Sequence, residues 1–182
     1  MSMLKYAAAL VLVASSGLVL RVSAATPVET PMLGKPISPA DLAPWDLSIG
    51  PDGAGLPAGK GTAKEGKQVF TDKCSYCHGA EGQGTPADRL VGGQGTLTSD
   101  RPIKTVGSYW PYATTLFDFV RRAMPLNQPQ SLTSDEIYAV SAYILAANGV
   151  IKPGEVMNAK TLPKVKMPNK GNFFIVYPGN LK

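Results

Sequence analysis

From residue 62 the apolar positions fall into a helical rhythm. Thr62 stands three residues ahead of Glu65, the two ends of a capping box, and Val69 and Phe70 form the apolar face of a helix that runs into Cys74. Residues 79–95 are rich in glycine and predict a loop. A second helix is expected over 112–123, with Leu116, Phe119 and Val120 at core spacing, and Pro125 stops it. Thr133 and Glu136 form another capping box, which opens a helix over 134–147; Ile137, Tyr138, Ser141, Tyr143, Ile144 and Leu145 supply its buried side. Asn148-Gly149 closes it. No alternating stretch is long enough to argue for a sheet, so the pattern predicts an all-α domain over 61–150.

The flanks have no such period. Residues 25–60 hold seven prolines and five glycines and read as an extended arm. Leu42, Trp45, Leu47 and Ile49 are apolar and want a surface, either their own domain or a partner protein. Residues 151–182 hold four prolines and scattered lysines and read as a C-terminal tail packed on the outside. At the N-terminus, Lys5 precedes fifteen uncharged residues, and Ser23-Ala24-Ala25 follows. This is the form of a secretory signal peptide over 1–24, cut near Ala24, and the apolar run is shorter than the ~20 residues of a bilayer span. The expected location is the periplasm, with no membrane attachment after cleavage.

Removal of Lys5 and Arg21 lowers the basic count from 18 to 16 against 13 acids, a net of +3. Bulk charge therefore says little about partners. Without Lys/Arg clusters interleaved with aromatics, nucleic acid is a poor fit. Two cysteines exclude a disulfide-rich scaffold, and a single histidine excludes every centre that needs two imidazoles.

Those three residues are adjacent. Cys74-Ser75-Tyr76-Cys77-His78 is a C-x-x-C-H sequence, the attachment site of a c-type haem. Two cysteines three apart on the first turn of a helix project to one side and reach both vinyl groups of one porphyrin, and the next residue is placed below the iron. A thioredoxin-like pair wants a strand ahead of the motif, and zinc wants more ligands than the chain readily offers. One covalent haem c is therefore expected, held by Cys74 and Cys77 with His78 as the proximal ligand. Met32, Met124, Met157 and Met167 are the candidates for the distal position, because a thioether suits iron and raises its potential. Met124, at a helix end before Pro125, is the favoured one. An open sixth site is the alternative. Tyr109, Trp110 and Arg89 stand in loops where donors to the haem propionates are needed, with surface or core packing as the equal alternative. Of Arg121 and Arg122, one is a further candidate for a propionate, and Pro86 or Pro102 for a carbonyl to the second nitrogen of His78.

Gly66-x-x-x-Phe70-x-x-x-Cys74, a Met-Pro pair and a last helix with Tyr138 and Tyr143 resemble class I cytochrome c. The resemblance implies a small helical wrap around one haem, in which Gly66 of the first helix meets Tyr143 or Tyr138 of the last. A second resemblance covers most of the chain. Residues 86–97 (Pro-Ala-Asp-Arg-Leu-Val-Gly-Gly-Gln-Gly-Thr-Leu), residues 104–118, and Arg121-Arg122-Ala123-Met124-Pro125 are similar to the cytochrome subunit of the bacterial sulfur-oxidation sulfane dehydrogenase and its relatives in sulfite dehydrogenases. This likeness implies a haem subunit docked on a molybdenum-cofactor subunit and passing electrons to a downstream cytochrome or oxidase, with Met124 as distal ligand. Longer members of that group carry a second haem domain, whereas one C-x-x-C-H is present here, which fits a monohaem sulfite-dehydrogenase-type subunit equally well. A free periplasmic electron shuttle and a haem enzyme with an open sixth site are the competing readings.

Overall fold

The expected capping boxes start two helices of the computed structural model, which describes residues 33–174. In α2 (Ala63–Lys73) the Thr62 hydroxyl accepts from the Glu65 N–H while the Glu65 carboxylate accepts from the Thr62 N–H at 2.8 Å. Thr133 and Glu136 do the same for α5 (Ser134–Ala147). Each box satisfies two of the amide donors that a helix start leaves without partners. The short helix α1 (Pro39–Leu42) precedes them, α3 (Ser75–His78) carries the C-x-x-C-H sequence, and α4 (Ala113–Ala123) lies between the glycine-rich loop and α5. The signal-peptide expectation and Met32 fall outside the described residues.

The helices α2 and α5 cross where a side chain would not fit. A Cβ on Gly66 would collide with the Ala139 carbonyl and approach the Tyr143 Cβ at 2.9 Å, and one on Gly61 would strike the Ala139 backbone. Glycine thus sets the closeness of the crossing, and the Phe70 and Tyr143 rings then meet at 5.0 Å between centroids. Of the two tyrosines expected opposite Gly66, Tyr143 is the one that approaches it. Tyr138 instead packs on Phe117 at 4.5 Å and donates its hydroxyl hydrogen to the Pro57 carbonyl at 2.9 Å. Burial pushes the Tyr138 phenol up to about 12, with Arg121 pulling weakly the other way.

Three expectations are corrected. Phe119 is 43 % exposed and sets its ring edge-on to Trp110, while Phe117 takes the core position. The buried apolar residues of α4 are Ala113, Leu116, Phe117 and Val120, an i, i+3, i+4, i+7 set that leaves position 119 about 100° aside. There is also a sheet: β1 (Lys60–Thr62) pairs antiparallel with β2 (Val156–Asn158), Gly61 opposite Met157. Three-residue strands are too short to show alternation. The tail does not merely lie outside, because Met157, Leu162 and Met167 are buried in the core.

The arm is likewise tied down along part of its length. Arg121 Nη1 donates to the Leu47 carbonyl at 3.4 Å, the Ile49 N–H donates to the Asp118 carboxylate at 2.9 Å, and Thr114 Oγ1 donates to the Pro51 carbonyl at 3.2 Å. Residues 47–51 therefore run antiparallel to α4 in extended form, with Ile49 buried. Trp45, by contrast, is 83 % exposed. The buried Asp118 also pairs with Arg122, whose Nε lies 3.1 Å from both carboxylate oxygens.

Candidate functional site

The end of α2 places the first cysteine. Cys74 closes that helix, its N–H donating to the Phe70 carbonyl at 2.9 Å, and the same residue starts α3. The amides of Cys77 and His78 both return to the Cys74 carbonyl, at 3.1 and 3.0 Å, so the five-residue sequence is wound into a single turn. Cys74 is half-buried against the hydrophobic core and Cys77 is exposed, and no disulfide joins them. Burial, and secondarily the neighbouring Cys77, pushes the Cys74 thiol up to about 11. The motif follows a helix directly, the opposite of the strand-first context of a thioredoxin-type pair.

His78 is oriented by main chain. Its Nδ1 lies 2.7 Å from the carbonyl oxygen of Asp88. A carbonyl only accepts, so Nδ1 carries the hydrogen and Nε2 keeps its lone pair for a metal. Neither Pro86 nor Pro102 takes this role. Any residue has the needed carbonyl, and the loop path selects that of Asp88. That path is fixed by further backbone bonds: Gly84 N–H to the His78 carbonyl at 2.7 Å, Ala87 N–H to the Cys77 carbonyl at 2.8 Å, and Leu90 and Val91 to the Gly82 carbonyl.

Asn148, which the sequence presented only as a helix stop, holds the loop against α5. Its side-chain nitrogen donates to the carbonyls of Leu90 (3.1 Å) and Ile144 (2.9 Å), and its side-chain oxygen accepts from Gly92 N–H (2.9 Å) and Gln94 Nε2 (3.1 Å). Every hydrogen-bonding group of that amide is used, and the residue is buried.

Met124 caps the end of α4 in extended conformation and packs half-buried against the same hydrophobic cluster as Cys74. Met157 and Met167 are enclosed in the core. Met124 is thus the half-buried thioether on an element end, while the other two have packing partners on all sides. The loop residues have these protein neighbours. Arg89 donates through Nε to the Gln83 carbonyl at 3.0 Å, Tyr109 lies edge-on to Phe173 with Lys104 above its ring, and Trp110 is half-buried against Phe119. Arg121 and Arg122 are engaged by Leu47 and Asp118. The donor set nonetheless fits a covalent haem: two unpaired thiols, one imidazole with its metal-facing nitrogen left free, and a thioether on the same core.

The Cytochrome c family model matches residues 63–148. One chain of the crystal structure of the sulfane dehydrogenase SoxCD from Paracoccus pantotrophus superposes with a TM-score of 0.75 at 38 % identity, covering 83 % of this chain and 73 % of that one. Among curated proteins, a thiosulfate dehydrogenase from Psychrobacter arcticus is 28 % identical over 101 residues, which is 53 % of this chain and 31 % of the relative. The chain therefore spans about a third of the length of that relative.

Proposed function

The chain belongs to the cytochrome c family and carries a covalently bound haem c, and from that premise we propose that it is the electron-accepting subunit of a molybdenum-dependent sulfite or sulfane dehydrogenase in the periplasm. Its role is electron transfer. One observation carries the finer reading: the similarity to a sulfane dehydrogenase chain covers 83 % of the sequence, well beyond residues 63–148, and so extends into the arm or the tail as well as the haem domain. A freely diffusing shuttle has little use for those flanking segments, whereas a subunit seated on a larger enzyme does.

In this reading Cys74 and Cys77 would hold the haem through thioether bonds, and His78 Nε2 and the Met124 thioether would ligate its iron. The haem supplies a one-electron couple. The protein supplies orientation and exclusion of water. The Asp88 carbonyl fixes the tautomer and rotation of the His78 ring and raises its basicity as a ligand. The Met124 thioether, as an iron ligand, would favour the reduced state and raise the potential, which would suit an acceptor of electrons. Phe70, Leu116, Phe117 and Val120 keep the interior apolar.

Co-purification and stopped-flow reduction test the proposal. The holoprotein should co-elute with a molybdenum dehydrogenase subunit, and sulfite or thiosulfate should reduce its haem only when that subunit is present. A cytochrome that stays monomeric, and that candidate dehydrogenases never reduce, would leave the free-shuttle reading in its place.

A further inference from the structure

The chain's net charge is concentrated in one segment. Residues 150–182 contain six lysines and one glutamate of the 18 basic and 13 acidic residues, leaving the other 149 residues with twelve of each. The whole excess of +5 is the tail's. In the described part the tail is also rigidly mounted. The pairing of β2 with β1 and the buried side chains of Met157, Leu162 and Met167, spaced five residues apart, seat it on the core, and Asn169 Nδ2 donates to the Tyr109 carbonyl at 2.9 Å. Lys160, Lys164 and Lys166 lie between these anchors and are exposed.

Next to them is a groove of about 590 Å³. Apolar side chains of Ile151, Val156 and Val165 line it together with Lys164 and Lys166. Val156 is 41 % exposed although it sits in a strand. The one acid of the tail, Glu155, also borders the groove, and its carboxylate already accepts from the Lys152 N–H at 2.7 Å. Among the described residues the one ion pair is Arg122–Asp118, so Lys164 and Lys166 have no carboxylate partner there.

We propose that this groove is a docking site for an acidic segment of a partner protein, with aliphatic side chains seated on the valines and carboxylates on Lys164 and Lys166. Charge complementarity selects the sign of the partner, and the concave apolar lining selects a protein segment over a phosphate backbone or a lipid surface, which would need only the lysines. The site is built from residues outside the C-x-x-C-H region and does not depend on which enzyme reduces the haem.

The probe is a short synthetic peptide alternating Glu and Leu, titrated into the isotopically labelled full-length holoprotein. Shifts should be confined to residues 150–166. Affinity should fall by roughly tenfold or more between low and physiological salt, and by a similar factor in a Lys164→Glu/Lys166→Glu variant whose haem spectrum is unchanged. A peptide with Ser in place of Leu should bind more weakly. Equal binding of the Ser peptide, shifts spread equally over the lysines of α2, or lysine-dependent binding to phosphatidylglycerol vesicles without binding of the peptide would each overturn the proposal. Reduction by a dehydrogenase is read separately, so failure here leaves the electron-transfer assignment untouched.

Discussion

Gly66 lies against the main chain of Ala139, so that the two helices framing the domain touch backbone to backbone. A methyl group at position 66 would press on the Ala139 carbonyl and on the Tyr143 Cβ, and a carbonyl in the middle of α5 cannot rotate aside. Gly66→Ala should destabilise the holoprotein by about 1–3 kcal/mol, the usual cost of overpacking a well-filled site. Denaturant unfolding followed through the haem absorption should show a lower midpoint with an unchanged slope. An unshifted midpoint would mean the crossing is looser than this contact requires.

Asp118→Ala should release the arm. The lost acceptor leaves the buried Ile49 N–H unpaired, a cost of about 1–3 kcal/mol, whereas the lost pairing with the exposed Arg122 adds only about 0–1 kcal/mol. Limited proteolysis should then cut within residues 43–51 much faster than in wild type, with the haem spectrum preserved. Unchanged cleavage would locate the arm's anchorage elsewhere.

Asn148→Ala should loosen the glycine-rich loop at a distance from the motif it serves. Amide exchange at Gly92 should accelerate, and the spectroscopic signature of the His78 side of the haem should broaden, because Leu90 is two residues from the carbonyl that orients the imidazole. Asn148→Asp keeps the acceptor for Gly92 and removes the donors to Leu90 and Ile144, so it should reverse the first effect and leave the second.

Met124→Ala should abolish the red-edge absorption of methionine–iron ligation in the oxidised protein and lower the midpoint potential, while Met157→Leu and Met167→Leu keep both. Persistence of the band in Met124→Ala, with its loss in either of the others, would move the distal ligand into the tail.

Tyr138 gives a pH signature. Its phenol ionises at about 12 in the folded chain and near 10 when unfolded, so above pH 10 the unfolded state releases a proton that the folded state retains. Stability from this group is complete below pH 10 and is lost as pH rises towards 12. Tyr138→Phe sacrifices the hydrogen bond to Pro57, about 1 kcal/mol at neutral pH, and lacks this alkaline loss. The stability difference between the two proteins should therefore shrink above pH 10; parallel curves would contradict the assignment.

What could be read ahead of the structure was local. Thr62 with Glu65, Thr133 with Glu136, and Cys74 through His78 each act within three or four positions, and both helix starts and the short turn of the motif lie where those residues indicate. Position 119 reads as core in the sequence because Phe117 and Phe119 have the same hydropathy, and only the facing of α4 against α5 and the tail distinguishes them. The partner of His78 left no trace in the residue types, since the acceptor at Asp88 is a carbonyl common to all of them. Asn148 was visible as a helix end, but its bonds to Leu90, Gly92 and Gln94 span 54 to 58 residues and have no local signature.

That difference in span separates two events in time. The contact between His78 and Asp88 closes a loop of ten residues, a step of about 10–100 ns for a flexible chain. The clasp of Asn148 must wait until α5 has formed and found α2. The His78 imidazole is thus brought to its orienting carbonyl by its own neighbourhood first, and the clasp of Asn148 then holds that arrangement once α5 is in place.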